Sequence, residues 1–283
     1  MNIKIIIVLS ILFPMLAKSQ NNPIKKILKD HPEFFKEVLA DNQQKEIQII
    51  YSQINRDKNN IAKFKSFSFN ADKIHYFYPA STIKLPTAIF ALEKLNELNI
   101  QNLNLNTHLK IGKDFGKQTI VEEDTSSSDG LPSIANYIKK ILLVSDNDAY
   151  NRLYEFVGRK EINEKLKRHG FNNSRIISRL SVGDSGENAR YTNPFTFYDK
   201  SQEIYHQPQQ FDSKDYPLKL NGLLKGKGYL DGNDSLILKP FNFADKNAFA
   251  LKDQHLLMQK LMFPESFPES KRFNLNLKDY KFL

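Results

Sequence analysis

The apolar and polar positions at the start of the chain predict a helix followed by a β-hairpin. Residues 23–40 carry apolar side chains at helical spacing, and Pro32 predicts a break because proline lacks the backbone N–H that a helix interior needs. Residues 46–55 and 61–69 alternate between apolar and polar side chains on either side of the polar turn Arg-Asp-Lys-Asn-Asn. Such alternation is typical of two strands joined in a hairpin.

The pattern becomes helical from Ser81 onward. Apolar residues recur at helical spacing up to residue 98, and Pro86 predicts an irregular first turn because its ring pushes against an earlier carbonyl. Residues 101–131 are polar and rich in turn residues, so we predict a loop there. Three further helices are predicted, at about 133–143, 147–157 and 160–168.

The last third of the chain gives weaker signals. After residue 170 the sequence predicts a long surface loop that ends in the start of a helix near Asn193 and Pro194. Residues 205–245 are again rich in loop residues, whereas residues 248–262 show a clear helical pattern. A hairpin followed by a mostly helical block predicts an α+β fold.

The first residues form a separate segment. Lys4 is followed by an apolar run at 5–17, and Ala17-Lys18-Ser19 fits the small-x-small pattern of a cleavage site. The run is too short to span the ~30 Å hydrocarbon core of a bilayer as a helix. We therefore predict a signal peptide at 1–19, with an uncleaved anchor as the alternative. The remaining chain is predicted to be one domain (20–283), with an N-terminal helix and hairpin (20–80), a helical lobe (81–200) and a loop-rich and helical segment (201–283).

Composition and charge narrow the possible functions. The 283-residue chain has a net charge of +9, but its basic residues are spread out and no nucleic-acid-binding motif accompanies them. The absence of cysteine excludes disulfides, thiolate metal sites and cysteine nucleophiles. The six histidines lack the spacing of a metal site. We expect a monomer without metal, cofactor or nucleic-acid partner, and without a membrane span after signal cleavage.

Ser81 is the one serine in the chain with a lysine, Lys84, three residues later. Positions i and i+3 of a helix lie on one face, so the hydroxyl and the amine can be close. A serine hydroxyl needs an adjacent base to act as a nucleophile, and a lysine whose pKa is lowered by burial can be that base. The alternative is an ordinary helix start, in which the serine caps the helix and the lysine has no chemical role.

A second candidate motif, Ser145-Asp146-Asn147, lies 64 residues after Ser81 and between two predicted helices. By itself this motif also fits simple N-cap chemistry. In combination, Ser-x-x-Lys and the later Ser-Asp-Asn resemble the active-site serine family of penicillin-binding proteins and class A β-lactamases. The resemblance covers about residues 25–200 and includes the flanking segments YPASTIKLPTAIFAL, LLVSDNDAYNRLYEFVG and RYTNPFTF.

The resemblance implies a role for each matching residue. Ser81 would be the nucleophile that forms an acyl-enzyme, and its backbone N–H would be one donor of the oxyanion hole. Lys84 would be a base or proton relay for Ser81, and Ser145 would pass the proton to the departing ring nitrogen. Asn147 would hold the side-chain amide of the substrate, and Asp146 would fix the loop. The implied fold is an antiparallel sheet with a helical lobe.

Two departures from the family pattern limit these expectations. Class A enzymes use an Ω-loop glutamate for deacylation, but the matching residues 175–183 contain no acid, and Asp184 and Glu187 are too close to Pro194 to match. The third motif, Lys-Thr-Gly or Lys-Ser-Gly on a late strand, is missing, and Lys-Gly-Lys-Gly at 225–228 has the wrong spacing and is predicted to lie in a loop. The chain therefore looks truncated before its final strands, which leaves its activity open.

The sequence thus predicts an exported, periplasmic serine hydrolase whose substrate is a small β-lactam or a cell-wall peptide. Hydrolysis of the β-lactam ring is the leading prediction. A D,D-peptidase or transpeptidase that acts on peptidoglycan stem peptides is one alternative. A penicillin-binding sensor without turnover, or an inactive fragment, is the other.

Overall fold

The computed structural model describes residues 22–40, 46–71, 74–116, 118–182 and 186–283. The predicted signal peptide at 1–19 lies outside the described residues. The helices are α1 (Pro23–Asp30), α2 (Pro32–Ala40), α3 (Lys84–Leu98), α4 (Ile134–Val144), α5 (Asn147–Val157), α6 (Arg159–Arg168), α7 (Leu251–Met262) and α8 (Leu277–Phe282). The strands are β1 (Ile49–Arg56), β2 (Ala62–Phe69), β3 (His108–Ile111), β4 (Phe195–Asp199), β5 (Gln202–Gln207), β6 (Leu224–Lys225), β7 (Tyr229–Leu230), β8 (Leu236–Ile237) and β9 (Phe241–Asn242).

The N-terminal part follows the apolar pattern of the sequence. The predicted break at Pro32 is confirmed, because α1 ends at Asp30 and α2 begins at Pro32. Strands β1 and β2 form the predicted antiparallel hairpin, with Ile49 opposite Phe69. The Oδ1 atom of Asp57 accepts the backbone N–H groups of Asn59 and Ile61 at 2.9 and 3.0 Å, which fixes the turn.

Helix α3 is the central element of the helical lobe. Its residues from Pro86 to Leu95 are all buried, so it is covered by neighbouring elements on every side. The predicted irregular start is confirmed, because a short 3-10 helix at Ala80–Ile83 precedes α3. Helices α4, α5 and α6 lie within one or two residues of their predicted positions. The core around α3 includes Ile89, Phe90, Ile138, Leu153, Phe156 and Ile162.

The prediction of a helix start near Asn193 and Pro194 is wrong, because the next residues form strand β4. Phe195 and Phe197 of this strand are completely buried and lie against Phe156, with ring centroids 5.7 and 5.4 Å away. Their alternation with less buried neighbours is the period of a strand, and aromatic and β-branched residues favour strands. Packing against α5 therefore decides the conformation of this segment.

A second correction concerns the predicted loop at 101–131, which contains strand β3. Strand β3 pairs with β4, and β4 pairs with β5, so the three form one antiparallel sheet. Leu109 and Ile111 of β3 are buried in the core. The strand has only four residues, which is too short for alternation to be recognised in a turn-rich sequence.

Residues 205–245 are rich in loops, as predicted, and carry two small antiparallel ribbons, β6 with β9 and β7 with β8. Helix α7 follows and lies against the hairpin, where the hydroxyl of Ser52 and Nε2 of His255 are 2.9 Å apart. In the part of the chain that the structure describes, no helix has both the length and the apolar character needed to cross a membrane. Helices combined with antiparallel strands make this an α+β fold.

Candidate active site

Ser81 lies at the surface, in the 3-10 helix that precedes α3. The residue before it, Ala80, has a φ of +43°, in the left-handed region that side chains other than glycine rarely occupy. Such a conformation costs on the order of 1–3 kcal/mol and persists only where the surrounding structure imposes it. Thr82 fixes the turn, because its backbone N–H donates to Pro79 O at 3.0 Å and its hydroxyl donates to the same oxygen at 2.6 Å.

Lys84 is the first residue of α3, and its side chain is almost completely buried. Its Nζ donates to the Ser145 backbone carbonyl, to Ser145 Oγ at 3.0 Å and to Asn147 Oδ1 at 2.7 Å. A lysine ammonium has three N–H donors. These three acceptors therefore satisfy the protonated form completely, and all three are uncharged.

Burial lowers the pKa of Lys84, because removal from water disfavours the ammonium form. The negative charge of Asp146 acts in the opposite direction and raises the pKa, but its effect is smaller. The site thus makes the neutral amine easier to reach than in an exposed lysine. A neutral amine has a lone pair, which is what a general base for Ser81 requires.

Residues 145–147 form the connection between α4 and α5. Ser145 has a φ of +56° and ends α4, and Asp146 caps the start of α5 by accepting the Ala149 N–H at 2.7 Å. The hydrogen bond of Asp146 is the capping geometry expected from the sequence. These two local constraints aim the Ser145 hydroxyl and the Asn147 amide at Lys84.

Asn147 connects Lys84 to a loop that sequence reasoning did not include in the site. Its Oδ1 accepts from Lys84, and its Nδ2 donates to Ser181 Oγ at 2.9 Å. One helical turn later, Asn151 holds the same loop, because its amide donates to Leu180 O at 3.0 Å and accepts from the Leu180 N–H at 2.7 Å. The two asparagines on one face of α5 were the available signal.

Further hydrogen bonds from Tyr150 and Asn247 hold the loop 176–182 in place. The Tyr150 hydroxyl donates to Ser178 O at 3.0 Å. Asn247 Oδ1 accepts the N–H groups of Ile177 and Ser178 at 2.7 and 3.0 Å. The loop is therefore fixed on two sides, and Ser181 lies at a defined position next to Asn147.

A known protein family matches the chain. Residues 32–262 match the model of the family described as the β-lactamase enzyme family, and this match spans most of the chain. The chain belongs to the β-lactamase enzyme family. No significant match to a curated protein or to a solved structure was found.

The family membership makes the side chains of the loop around Ser181 important. Residues 174–182 contain neither aspartate nor glutamate. Glu187 is exposed, next to a short 3-10 helix at Asn188–Arg190, and Asp184 lies outside the described residues. In this β-lactamase family member, the group that Asn147 reaches in the loop is therefore the hydroxyl of Ser181.

The sequence predicted that the Lys-Gly-Lys-Gly segment at 225–228 lies in a loop, but its first residue belongs to a strand. Lys225 belongs to strand β6, and its Nζ donates to Glu46, which lies before the hairpin. The ring of His75 also contacts Glu46, with Nε2 3.1 Å from Oε1. In the described part of the chain, no group of three or more metal-binding side chains is placed to hold a metal ion.

Proposed function

We propose that the protein is an exported serine hydrolase that opens β-lactam rings, with Ser81 as the nucleophile. The observation that carries the proposal is the buried Lys84, which lies one helical turn after an exposed serine and contacts Ser145 and Asn147 through neutral acceptors only. A buried amine with a lowered pKa, three residues after an exposed serine in the chain, fits the base that a serine nucleophile requires.

Acylation would proceed in two steps, attack of Ser81 on the carbonyl carbon and cleavage of the ring C–N bond. Ser81 Oγ attacks the carbonyl carbon of the β-lactam, and its proton passes to the neutral amine of Lys84. The ring C–N bond then breaks, and Ser145 passes a proton from Lys84 to the departing nitrogen. Ser145 is suited to this relay because its hydroxyl lies 3.0 Å from Lys84 Nζ. The product is an ester between Ser81 and the opened ring, and the lysine is neutral again.

The oxyanion that forms during attack needs hydrogen-bond donors. Ser81 is the second residue of a 3-10 helix, where backbone N–H groups have no partner within the helix. This N–H is available as one donor to the developing negative charge. Such donors typically contribute about 3 kcal/mol to the lowering of the barrier.

Release of the product requires water to attack the Ser81 ester. A water molecule needs a base, and the loop beside Asn147 offers the Ser181 hydroxyl instead of a carboxylate. This observation favours a second candidate function: a penicillin-binding protein that is acylated and turns over slowly. A D,D-peptidase that forms the same ester with cell-wall peptides would use the same residues.

The test is a comparison of turnover and labelling in the purified chain. A chromogenic cephalosporin measures turnover, and a fluorescent penicillin measures the stable ester. We expect both signals to depend on Ser81 and to disappear in Ser81→Ala, while the exposed loop variant Ser128→Ala retains them. Labelling without turnover supports the penicillin-binding function, and labelling that persists in Ser81→Ala contradicts the proposal.

Export to the periplasm is part of this proposal and rests on the residues that precede the domain. A short basic start, an apolar run and a small-x-small site favour cleavage after residue 19. Expression of the full chain followed by cell fractionation and N-terminal sequencing tests this. Protein that stays in the cytoplasm with Met1 intact would contradict export.

A further inference from the structure

A cavity of 490 Å³ adjoins the candidate active site. It is lined by Pro79, Ala80 and Ile83, so it borders Ser81 from both sides in the sequence. It is also lined by Ser178–Val182, the loop whose Ser181 accepts a hydrogen bond from Asn147. The cavity therefore touches the turn that carries Ser81 and the loop that carries Ser181, so a group bound in it would adjoin the proposed reaction site.

The outer wall of the cavity is aromatic. Tyr78, Tyr229, Phe241 and Phe243 line it, and their rings contact one another. The Phe243 centroid is 5.2 Å from that of Tyr78 and 4.8 Å from that of Phe241, and the Tyr229 centroid is 5.0 Å from that of Phe241. Tyr78 remains 55% exposed, so this wall keeps free apolar surface. Aromatic walls of this kind favour an aromatic or aliphatic ligand group.

The ribbons β6–β9 and β7–β8 build this wall, and their glycines permit it. A Cβ atom at Gly228 would lie 2.9 Å from the carbonyl oxygen of Ile237, too close for any residue with a side chain. Gly226 has a φ of +74°, which also favours glycine. The Lys-Gly-Lys-Gly segment has no role in the proposed chemistry. Its glycines instead allow the close backbone contacts of the two ribbons that carry the aromatic residues of the cavity wall.

Two lysines line the cavity, and their charges differ in how they are compensated. Lys225 is paired with Glu46. Lys246 is half-buried, with Nζ 5.7 Å from the centroid of the Phe241 ring, and has no carboxylate partner among the residues that the structure describes. A cation at the edge of an aromatic wall favours a ligand that carries a negative charge beyond its apolar part.

We propose that this cavity binds the acyl side chain of the substrate and selects an aryl side chain that carries a carboxylate. The aromatic wall holds the ring, and Lys246 pairs with the carboxylate. The inference rests on the proposed acylation of Ser81, but it makes a separate claim about which substrates react fastest.

Three penicillins with the same ring system test the selection: 6-aminopenicillanic acid, benzylpenicillin and α-carboxybenzylpenicillin. The first has no acyl side chain, the second has an aryl group and the third adds a carboxylate. Acylation of Ser81 is followed by intact-protein mass spectrometry. We expect the second-order acylation rate to rise about tenfold at the first step and about threefold more at the second.

Variants of the wall should remove these gains one at a time. Phe241→Leu should reduce the aryl advantage, and Lys246→Gln should abolish the additional advantage of the carboxylate, so that this variant is acylated at equal rates by benzylpenicillin and its α-carboxy derivative. Lys239→Gln and Phe211→Ala alter an exposed lysine and an exposed phenylalanine outside the cavity, and both should behave like wild type. Thermal unfolding of each variant checks that the ribbons remain folded.

Binding of the isolated side chains gives a readout that does not need acylation. Phenylacetamide and phenylmalonic acid monoamide are added to Ser81→Ala protein, and their binding is followed by ligand-observed NMR. We expect both to bind and the carboxylated probe to lose its advantage in Lys246→Gln. Equal acylation of all three penicillins, or no binding of either probe, would overturn the inference. Absence of acylation with retained probe binding would instead count against the proposed function.

Discussion

Helix α3 carries two buried lysines, Lys84 and Lys94, which are 3% and 6% exposed, and they differ in what surrounds the charge. Lys94 Nζ donates to the carbonyls of Phe156 and Val157 at 2.8 and 3.1 Å, and it lies 3.1 Å from a carboxylate oxygen of Glu161. Those carbonyls belong to the last turn of α5, where a cation is favourable. The Nζ of Lys84 contacts neutral acceptors only.

This difference distinguishes a lysine that stabilises the fold, Lys94, from a lysine that is a candidate general base, Lys84. Burial lowers the pKa of both side chains, but Glu161 raises the pKa of Lys94 through direct contact. Loss of the Lys94 proton would leave a carboxylate without its partner. Loss of the Lys84 proton leaves only neutral acceptors without a donor. Ser145 and Asn147 are exposed, so a water molecule can replace the hydrogen bond that Lys84 no longer donates. Of the two lysines, Lys84 therefore has the surroundings that the proposed proton exchange needs.

The largest expected effect is on acylation. Lys84→Met should lower the rate of Ser81 acylation by a fluorescent penicillin about 10³-fold, because the general base is lost. Lys94→Met is the matched control, since it removes the same group ten residues later on the same helix. Its folded fraction should label at the wild-type rate. Equal losses in the two variants would show that the site needs only an intact α3.

The second effect is on the free energy of unfolding, where Lys94→Met should have the larger effect and Lys84→Met the smaller one. Lys94→Met should lower the free energy of unfolding by about 2 kcal/mol, because the last carbonyls of α5 lose their buried donor. Lys84→Met should leave it unchanged or raise it, because a buried ammonium with a lowered pKa is removed. Urea denaturation of the two variants and the wild type measures both changes. A larger loss for Lys84→Met would reverse the comparison.

The pH dependence of acylation sharpens the assignment of the base. The pKa of Lys84 lies below its ordinary value of 10.5, so the amine fraction and the acylation rate should rise with pH and level off at that lowered pKa. In the interval between the lowered pKa and 10.5 the unfolded chain binds more protons, so this group's contribution to stability should also rise with pH. Stopped-flow labelling between about pH 6 and pH 9 would show the rise. A flat profile for wild type would contradict general-base catalysis by Lys84.

The smallest effect concerns Asp146, whose charge raises the pKa of Lys84. Asp146→Asn keeps an oxygen that can cap α5 but removes the charge, so the acylation profile should move to lower pH by less than about one unit. Asp146→Ala should cause the same shift and also lower the free energy of unfolding by about 1 kcal/mol, because the cap is lost. An unchanged profile in both variants would remove Asp146 from the electrostatics of the site.

The candidate site residues that the sequence predicted lie in two motifs, and each motif is encoded locally. Ser81 and Lys84 lie on one helical turn, and Ser145, Asp146 and Asn147 are consecutive, so spacing indicates that the members of each motif are close together. The α+β fold and helices α3 to α6 follow from apolar periodicity in the same way.

The remaining features depend on contacts between distant residues, which one sequence does not specify. The hydrogen bond between Asn147 and Ser181 spans 34 residues. Strand β4 forms because Phe195 and Phe197 pack against Phe156, although the preceding proline suggested a helix start. The aromatic wall brings Tyr78 against Phe243, and no periodicity connects two such short segments.

The most direct test of the central claim is a mass measurement on the acylated residue. Wild-type protein and the Lys84→Met and Lys94→Met variants are incubated with benzylpenicillin for equal times, quenched in acid and digested for peptide mapping. The account predicts one adduct, on Ser81, formed at similar rates in wild type and Lys94→Met and about 10³-fold more slowly in Lys84→Met. An adduct on another residue, or equally fast formation in Lys84→Met, would contradict it.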